Sequence, residues 1–119
     1  RLPGHAVRVS SGLPHHVLRR VEAYIEANLA GVIHLEDLAR LAGMSGFHFH
    51  RMFRLARGCP PHDWITQHRV RRAKTLLRAQ TPIAEVAVDT GFSSQSHLTR
   101  VFRDQTGRTP GQYRRACRS

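Results

Sequence analysis

Two short stretches carry side chains whose types and spacing suit hydrogen bonding to a grooved polyanion. Phe47, His50, Arg51 and Arg54 fall at i, i+3, i+4 and i+7, and Ser96, Thr99, Arg100 and Arg103 fall at the same spacing. On a helix that spacing puts all four on one face. A guanidinium can donate two parallel hydrogen bonds to the guanine edge in a major groove, while Thr, His and Gln reach other base edges or phosphates. Neither stripe contains a carboxylate. Arg51 and Arg100 are therefore the first candidates for base contacts, and Arg54 and Arg103, one turn further on, for phosphate contacts. Behind the stripes lie apolar positions, Phe49, Met52, Phe53 and Ala56 in the first and Leu98, Val101 and Phe102 in the second.

The bulk composition agrees with a polyanionic partner. Lys and Arg number 19 against 8 Asp and Glu, a formal net charge of +11, and nine His add charge at low pH. No apolar run is long enough to span a membrane and no secretory signal opens the chain, so a cytoplasmic protein with no membrane partner is expected. Cys59 and Cys117 are far apart and outside any C-x-x-C spacing, which suggests ordinary thiols. The chain starts at Arg1 without Met, and Pro3, Gly4, Ser10, Ser11 and Gly12 give its first 13 residues the look of a linker tail. A piece of a longer protein is expected.

Seven helices are needed to position the stripes, and no segment has a strand period. Val17, Leu18, Val21, Ile25 and Leu29 predict a first helix over 14–28. A short second helix, with Leu35, Leu38, Ala39, Leu41 and Ala42, stops at Gly43. His34 stands at its start, a poor cap. Ser45 caps a third helix that ends near Gly58, and Pro60 and Pro61 open a long fourth running to about Ala79. Cys59 falls at a cap position beside them. Thr81 and Pro82 start a fifth helix carrying Ile83, Val86, Ala87 and Val88, which Gly91 ends. Ser93 or Ser94 caps the sixth. Thr109, Pro110 and Gln112 form a T-x-x-Q capping box that opens a seventh, to about Ala116.

An internal repeat organises these helices. Leu35, Leu38, Ala39 and Gly43 match Ile83, Val86, Ala87 and Gly91 at an offset of 48. Arg51, Phe53, Gly58, Pro61 and Trp64 match Arg100, Phe102, Gly107, Pro110 and Tyr113 at 49, so the second turn is one residue longer. The fold expected is all-α, two helix-turn-helix subdomains over about 14–59 and 80–117, joined by a central helix over about 60–79. In that helix His68, Arg69, Arg71, Arg72 and Lys74 spread around the circumference, with some solvated and Arg69 or Arg72 paired to Glu85 or Asp89.

Other chemistries fit poorly. His48 and His50, two apart on a helix, point to nearly opposite faces, and no H-x-x-x-H pair replaces them, so no metal or cofactor is expected. Cys59, His62 and Asp63 are close in sequence, but a small helical repeat offers no cleft in which to orient a nucleophile and base, so an enzyme is not expected. RNA is disfavoured because the A-form major groove does not admit a helix. Nonspecific binding through charge is the remaining alternative, to be separated by competition between specific and random duplexes.

The segments LEDLARLAGMS (35–45), FHRMFR (49–54) and GFSSQSHLTRVFRDQTGRTPGQYRR (91–115) make the chain similar to the AraC/XylS family of bacterial transcription regulators over about 14–116. The resemblance implies sequence-specific recognition of double-stranded DNA by a transcription regulator, an activator in many members, with the third and sixth helices in adjacent major-groove segments. It implies base contacts from Phe47, His50 and Arg51 and from Gln95, Ser96, Thr99 and Arg100, with Ser45, Arg54, Ser94 and Arg103 on phosphates. It also implies RNA polymerase as a partner and an effector or dimerisation domain elsewhere in the protein. Some DNA-repair methyltransferases carry a similar module. Phe47, His34 and Cys59 depart from the usual family residues at their positions.

Overall fold

The computed structural model describes residues 12–118. Its seven helices are α1 (His15–Ala27), α2 (Leu35–Ala42), α3 (Gly46–Arg57), α4 (Pro61–Arg78), α5 (Ile83–Asp89), α6 (Gln95–Thr106) and α7 (Pro110–Arg118), with no strand among the described residues. Most ends fall within two residues of the expected ones. Pro14 and Pro82 precede their helices rather than opening them, each with ψ near the extended range (148° and 141°). Pro60 holds the place before α4, with its carbonyl accepting from Trp64, so Cys59 lies one residue outside the cap.

Local chemistry explains the punctuation. Ser45 Oγ accepts the His48 N–H (3.2 Å) and Ser94 Oγ the His97 N–H (3.0 Å), so Ser94, not Ser93, caps α6. Each such cap contributes about 1 kcal/mol. The Thr109–Gln112 box closes in both directions, at 3.1 and 2.9 Å. After α2, Gly43 and Met44 donate to Arg40 and Ala39. After α5, Gly91 and Phe92 donate to Val88 and Ala87, the same 5→2 and 6→1 closure. Met44 and Phe92 therefore still match at 48 while Ser45 and Ser94 match at 49, which identifies Ser93 as the added residue. The same closure ends α4 through Gln80 (φ 68°) and Thr81.

The packing divides the chain into two compact units, residues 12–28 with 33–65 and residues 29–32 with 66–118. In the first, Leu18, Val21 and Ile25 of α1, Leu38 and Ala39 of α2, and Phe49 and Phe53 of α3 are buried, with Ile65 from the start of α4. The Phe53 ring lies 5.7 Å from Phe49 and edge-on to Trp64 at 5.8 Å. Aromatic pairs of this kind add about 0.5–1.5 kcal/mol beyond their area. Glu22 accepts from Arg57 and fastens α1 to α3. Leu13 is buried, and a Cβ on Gly12 would stand 2.5 Å from the Met52 carbonyl oxygen. Gly12 is thus packed closely against α3 and Leu13 is buried, while residues 1–11 of the expected linker lie outside the described residues.

In the second unit Val70, Ala73 and Leu77 of α4, Val86 and Ala87 of α5, and Leu98 and Phe102 of α6 form one core with Phe92. Tyr113 packs edge-on to Phe102 at 5.5 Å, the counterpart of Trp64 on Phe53. Its hydroxyl accepts from Arg78 (2.6 Å). Val88, the last apolar residue of α5, is 68% exposed, because the buried stripe of that helix runs through Ile83, Val86 and Ala87 and leaves the next position turned out.

The connector between α1 and α2 follows a different course from the expected one. Leu29–Val32 belongs to the second unit, where Leu29 is buried and Arg69 donates to the carbonyls of Leu29 (3.2 Å) and Gly31 (2.8 Å). This corrects the expected pairing of Arg69 or Arg72 with Glu85 or Asp89, since neither arginine forms an ion pair among the described residues. Two orphan carbonyls of an irregular segment capture the Arg69 guanidinium first. Burial lowers the Arg69 pKa from its usual range, yet the group stays charged near neutrality and its hydrogen bonds offset part of the desolvation cost.

Candidate nucleic-acid interface

Within each unit one twelve-residue helix carries the predicted stripe on the side away from the core. On α3, burial of Phe49 and Phe53 fixes the rotation and turns Phe47, Arg51 and Arg54 into solvent, with Phe47 83% exposed. Neither Arg51 nor Arg54 has a hydrogen bond or ion pair among the described residues, unlike Arg57 on the same helix, which Glu22 holds. An exposed apolar ring thus stands beside two solvated guanidinium groups that no carboxylate among the described residues holds. The combination is usable where the groove offers thymine methyls and guanine edges together.

His50 sits differently from its neighbours. It is half-buried and lines a hollow of 140 Å³ with Ile33, Leu35, Leu38, Pro61, His62 and Ile65. The first stripe is therefore a three-residue surface, Phe47, Arg51 and Arg54, with His50 at its inner margin. No cluster of three or more potential metal-ligating side chains occurs among the described residues.

On α6, Gln95, Ser96, Thr99, Arg100 and Arg103 line a single open hollow. Four of them are exposed and Thr99 is half-buried, while Leu98 and Phe102 face the core with no exposed surface. Arg100 and Arg103 again have no partner among the described residues. The acid of this helix, Asp104, stands four residues after Arg100 at the margin of the stripe and does not bond it. The two capping hydroxyls, Ser45 and Ser94, spend an acceptor on their helices and keep an O–H to donate outward.

Two features escaped the sequence reading. Ser93 addresses His97 Nδ1 with its N–H (3.4 Å) and its hydroxyl (3.1 Å), and the imidazole stands edge-on to Phe92 at 5.3 Å. Because an N–H only donates, that contact needs a lone pair on Nδ1 and favours the tautomer with hydrogen on Nε2. The change of offset from 48 to 49 signalled an added residue but not its partner. Arg69 is the other, since its two carbonyl acceptors lie about forty residues away in a segment without period.

A family model described as a helix-turn-helix domain matches residues 38–116. The chain is 39% identical over 100 residues to the transcriptional activator NphR of Rhodococcus sp, covering 82% of this chain and 30% of that protein. It is 33% identical over 99 residues to the regulatory protein SoxS of Escherichia coli strain K12, covering 82% of this chain and 92% of that one. Its fold superposes on the DNA-binding domain of AdpA, solved in complex with a target DNA, with a TM-score of 0.79 and 38% identity over 85% of this chain and 92% of that one. A regulator from Chromobacterium violaceum described as AraC-type superposes with a TM-score of 0.79 at 26% identity, covering 85% and 91%. The repeat, the two capped helices with outward stripes and these likenesses together place the chain in the AraC/XylS family of helix-turn-helix DNA-binding domains.

Proposed function

We propose that this chain recognises a specific double-stranded DNA sequence for a bacterial transcription regulator, with α3 and α6 each entering the major groove. The observation that carries this is the exposure of Arg51 and Arg54, and of Arg100 and Arg103, at equivalent places on two helices whose other faces are sealed into cores. The AdpA domain, 38% identical, was solved with a target DNA, which supports the same partner here.

Residue roles follow from reach and chemistry. Arg51 and Arg100 read base edges bidentately, Gln95, Ser96 and Thr99 read or approach neighbouring bases, and Phe47 supplies apolar contact. His50, at the inner margin of its stripe, makes a secondary contact. Arg54, Arg103, Ser45 and Ser94 hold phosphates and fix the register of each helix on the duplex. The α4 helix has 18 residues and is about 27 Å long at about 1.5 Å per residue. Because the two stripes differ in residue types, the site is asymmetric and lacks the palindrome that a symmetric dimer reads. The chain acts by binding and has no catalytic role. RNA polymerase is the downstream partner, a separate effector or dimerisation domain belongs to the full regulator, and the cytoplasm is where it works. No helix among the described residues is long and apolar enough to cross a membrane.

Selection of bound duplexes from a random pool at a stated salt concentration tests the reading. A shared asymmetric motif is expected. Recovery of unrelated sequences bound equally well would replace it with nonspecific charge-driven binding.

A further inference from the structure

The positive charge of the chain is shared very unequally between its two units. Residues 12–28 with 33–65 hold six Arg and Lys against five Asp and Glu, net +1, whereas residues 29–32 with 66–118 hold eleven against three, net +8. Two of the six cations of the first unit, Arg40 and Arg57, are moreover held by its own carboxylates. In the second, Arg71, Arg72, Arg108 and Arg118 stand exposed outside α6, in addition to Arg100 and Arg103 on it. A duplex responds to such charge over about one Debye length, roughly 10 Å at 0.1 M salt. An excess confined to one unit therefore acts on the stretch of DNA that this unit meets.

Granted the DNA-binding reading above, we infer that the second unit, besides reading bases through α6, is the electrostatic anchor of the complex, while the first contributes mainly as a reader. The anchor supplies most of the sequence-independent, salt-dependent affinity, drawing on Arg71, Arg72, Arg108 and Arg118 as well as on α6. The first unit, nearly neutral, adds counterion release chiefly through Arg54 on α3. It acts through the shape and base contacts of α3, where an exposed Phe47 stands among few free cations. Each phosphate neutralised steepens the dependence of log affinity on log salt by about 0.9. The division is therefore readable as a slope assigned to each unit.

The test uses the full chain with two sets of neutralising substitutions, all at exposed positions. One set is Arg71→Gln, Arg72→Gln, Arg108→Gln and Arg118→Gln; the other is Arg19→Gln, Arg20→Gln and Arg40→Gln. Affinity for a selected duplex and for a random one is measured between about 50 and 200 mM salt, with circular dichroism melts to check folding. The first set is expected to flatten the slope by about 2 or more and to weaken both duplexes by the same factor, more than tenfold at the lowest salt. The second set is expected to change the slope by less than about 0.5. If the four-residue set melts early, Arg72→Gln alone gives the same reading at smaller scale, a slope flatter by about 0.5–0.9. Equal losses from both sets, or an unchanged slope in the first, overturn the anchor while leaving DNA binding intact. A wild-type chain that holds neither duplex overturns the DNA-binding reading itself, and the anchor with it.

Discussion

Gly91 and Gly43 occupy equivalent places in the repeat, and the same substitution should hurt them very differently. Both have left-handed φ values, 81° and 71°. Alanine in that region costs about 1–2 kcal/mol at either site. At Gly43 nothing lies within 4 Å of the added Cβ, so the conformational cost is the whole effect. At Gly91 the Cβ would stand 2.1 Å from the Leu29 carbonyl oxygen and 2.9 Å from Arg69 Nε. The carbonyl must retreat by about 1 Å or more to restore ordinary contact, and the Arg69–Leu29 hydrogen bond goes with it. A hydrogen bond to a charged group contributes about 1.5–3 kcal/mol and overpacking costs a further 1–3 kcal/mol. Gly91→Ala should therefore cost at least about 2 kcal/mol more than Gly43→Ala, a melting temperature lower by about 10 °C in a domain this size. Urea and thermal unfolding followed by far-ultraviolet circular dichroism measure the pair. Equal losses would refute the close packing of Leu29–Val32 against the turn after α5.

Arg51→Ala should weaken binding to the selected duplex by about 1–3 kcal/mol and relax preference at one base pair, whereas Arg54→Ala should weaken all duplexes alike and flatten the salt slope by about 0.9. Titrations on matched and mismatched duplexes check this, and identical behaviour of the two variants would abolish the division of roles. Gln80→Gly removes a left-handed glutamine at the end of α4, and after the greater freedom of glycine in the unfolded chain is subtracted it should stabilise by about 0.5–1 kcal/mol in urea unfolding. Ser94→Ala should cost about 1 kcal/mol of stability through the lost cap on α6, with a loss of duplex affinity that persists at temperatures where the variant is fully folded.

What was legible in the sequence was what local chemistry decides. Gly43, Gly91 and Gly107 stop their helices, Ser45 caps α3 and the Thr109–Gln112 box opens α7, because each acts on backbone groups within a few residues. The outward stripes were legible for the same reason. Burial of Phe49 and Phe53 sets the rotation of α3, and that of Leu98 and Phe102 sets α6. What was not legible depends on distant partners. The capture of Arg69 by Leu29 and Gly31 joins segments whose spacing carries no period, and half-buried His50 lines a hollow with residues of other segments, among them Ile33, Pro61 and Ile65.

Because Leu29–Val32 packs with residues beyond Thr66 while the chain on either side packs with the first unit, neither unit is a continuous stretch of sequence. A recombination event that joined the front of one such gene to the back of another would sever Arg69 from the carbonyls it grips. Compatible crossovers must then carry a matching strap along with the long helix. Target preference in this lineage is accordingly expected to drift by point changes on the reading faces more readily than by the exchange of whole modules.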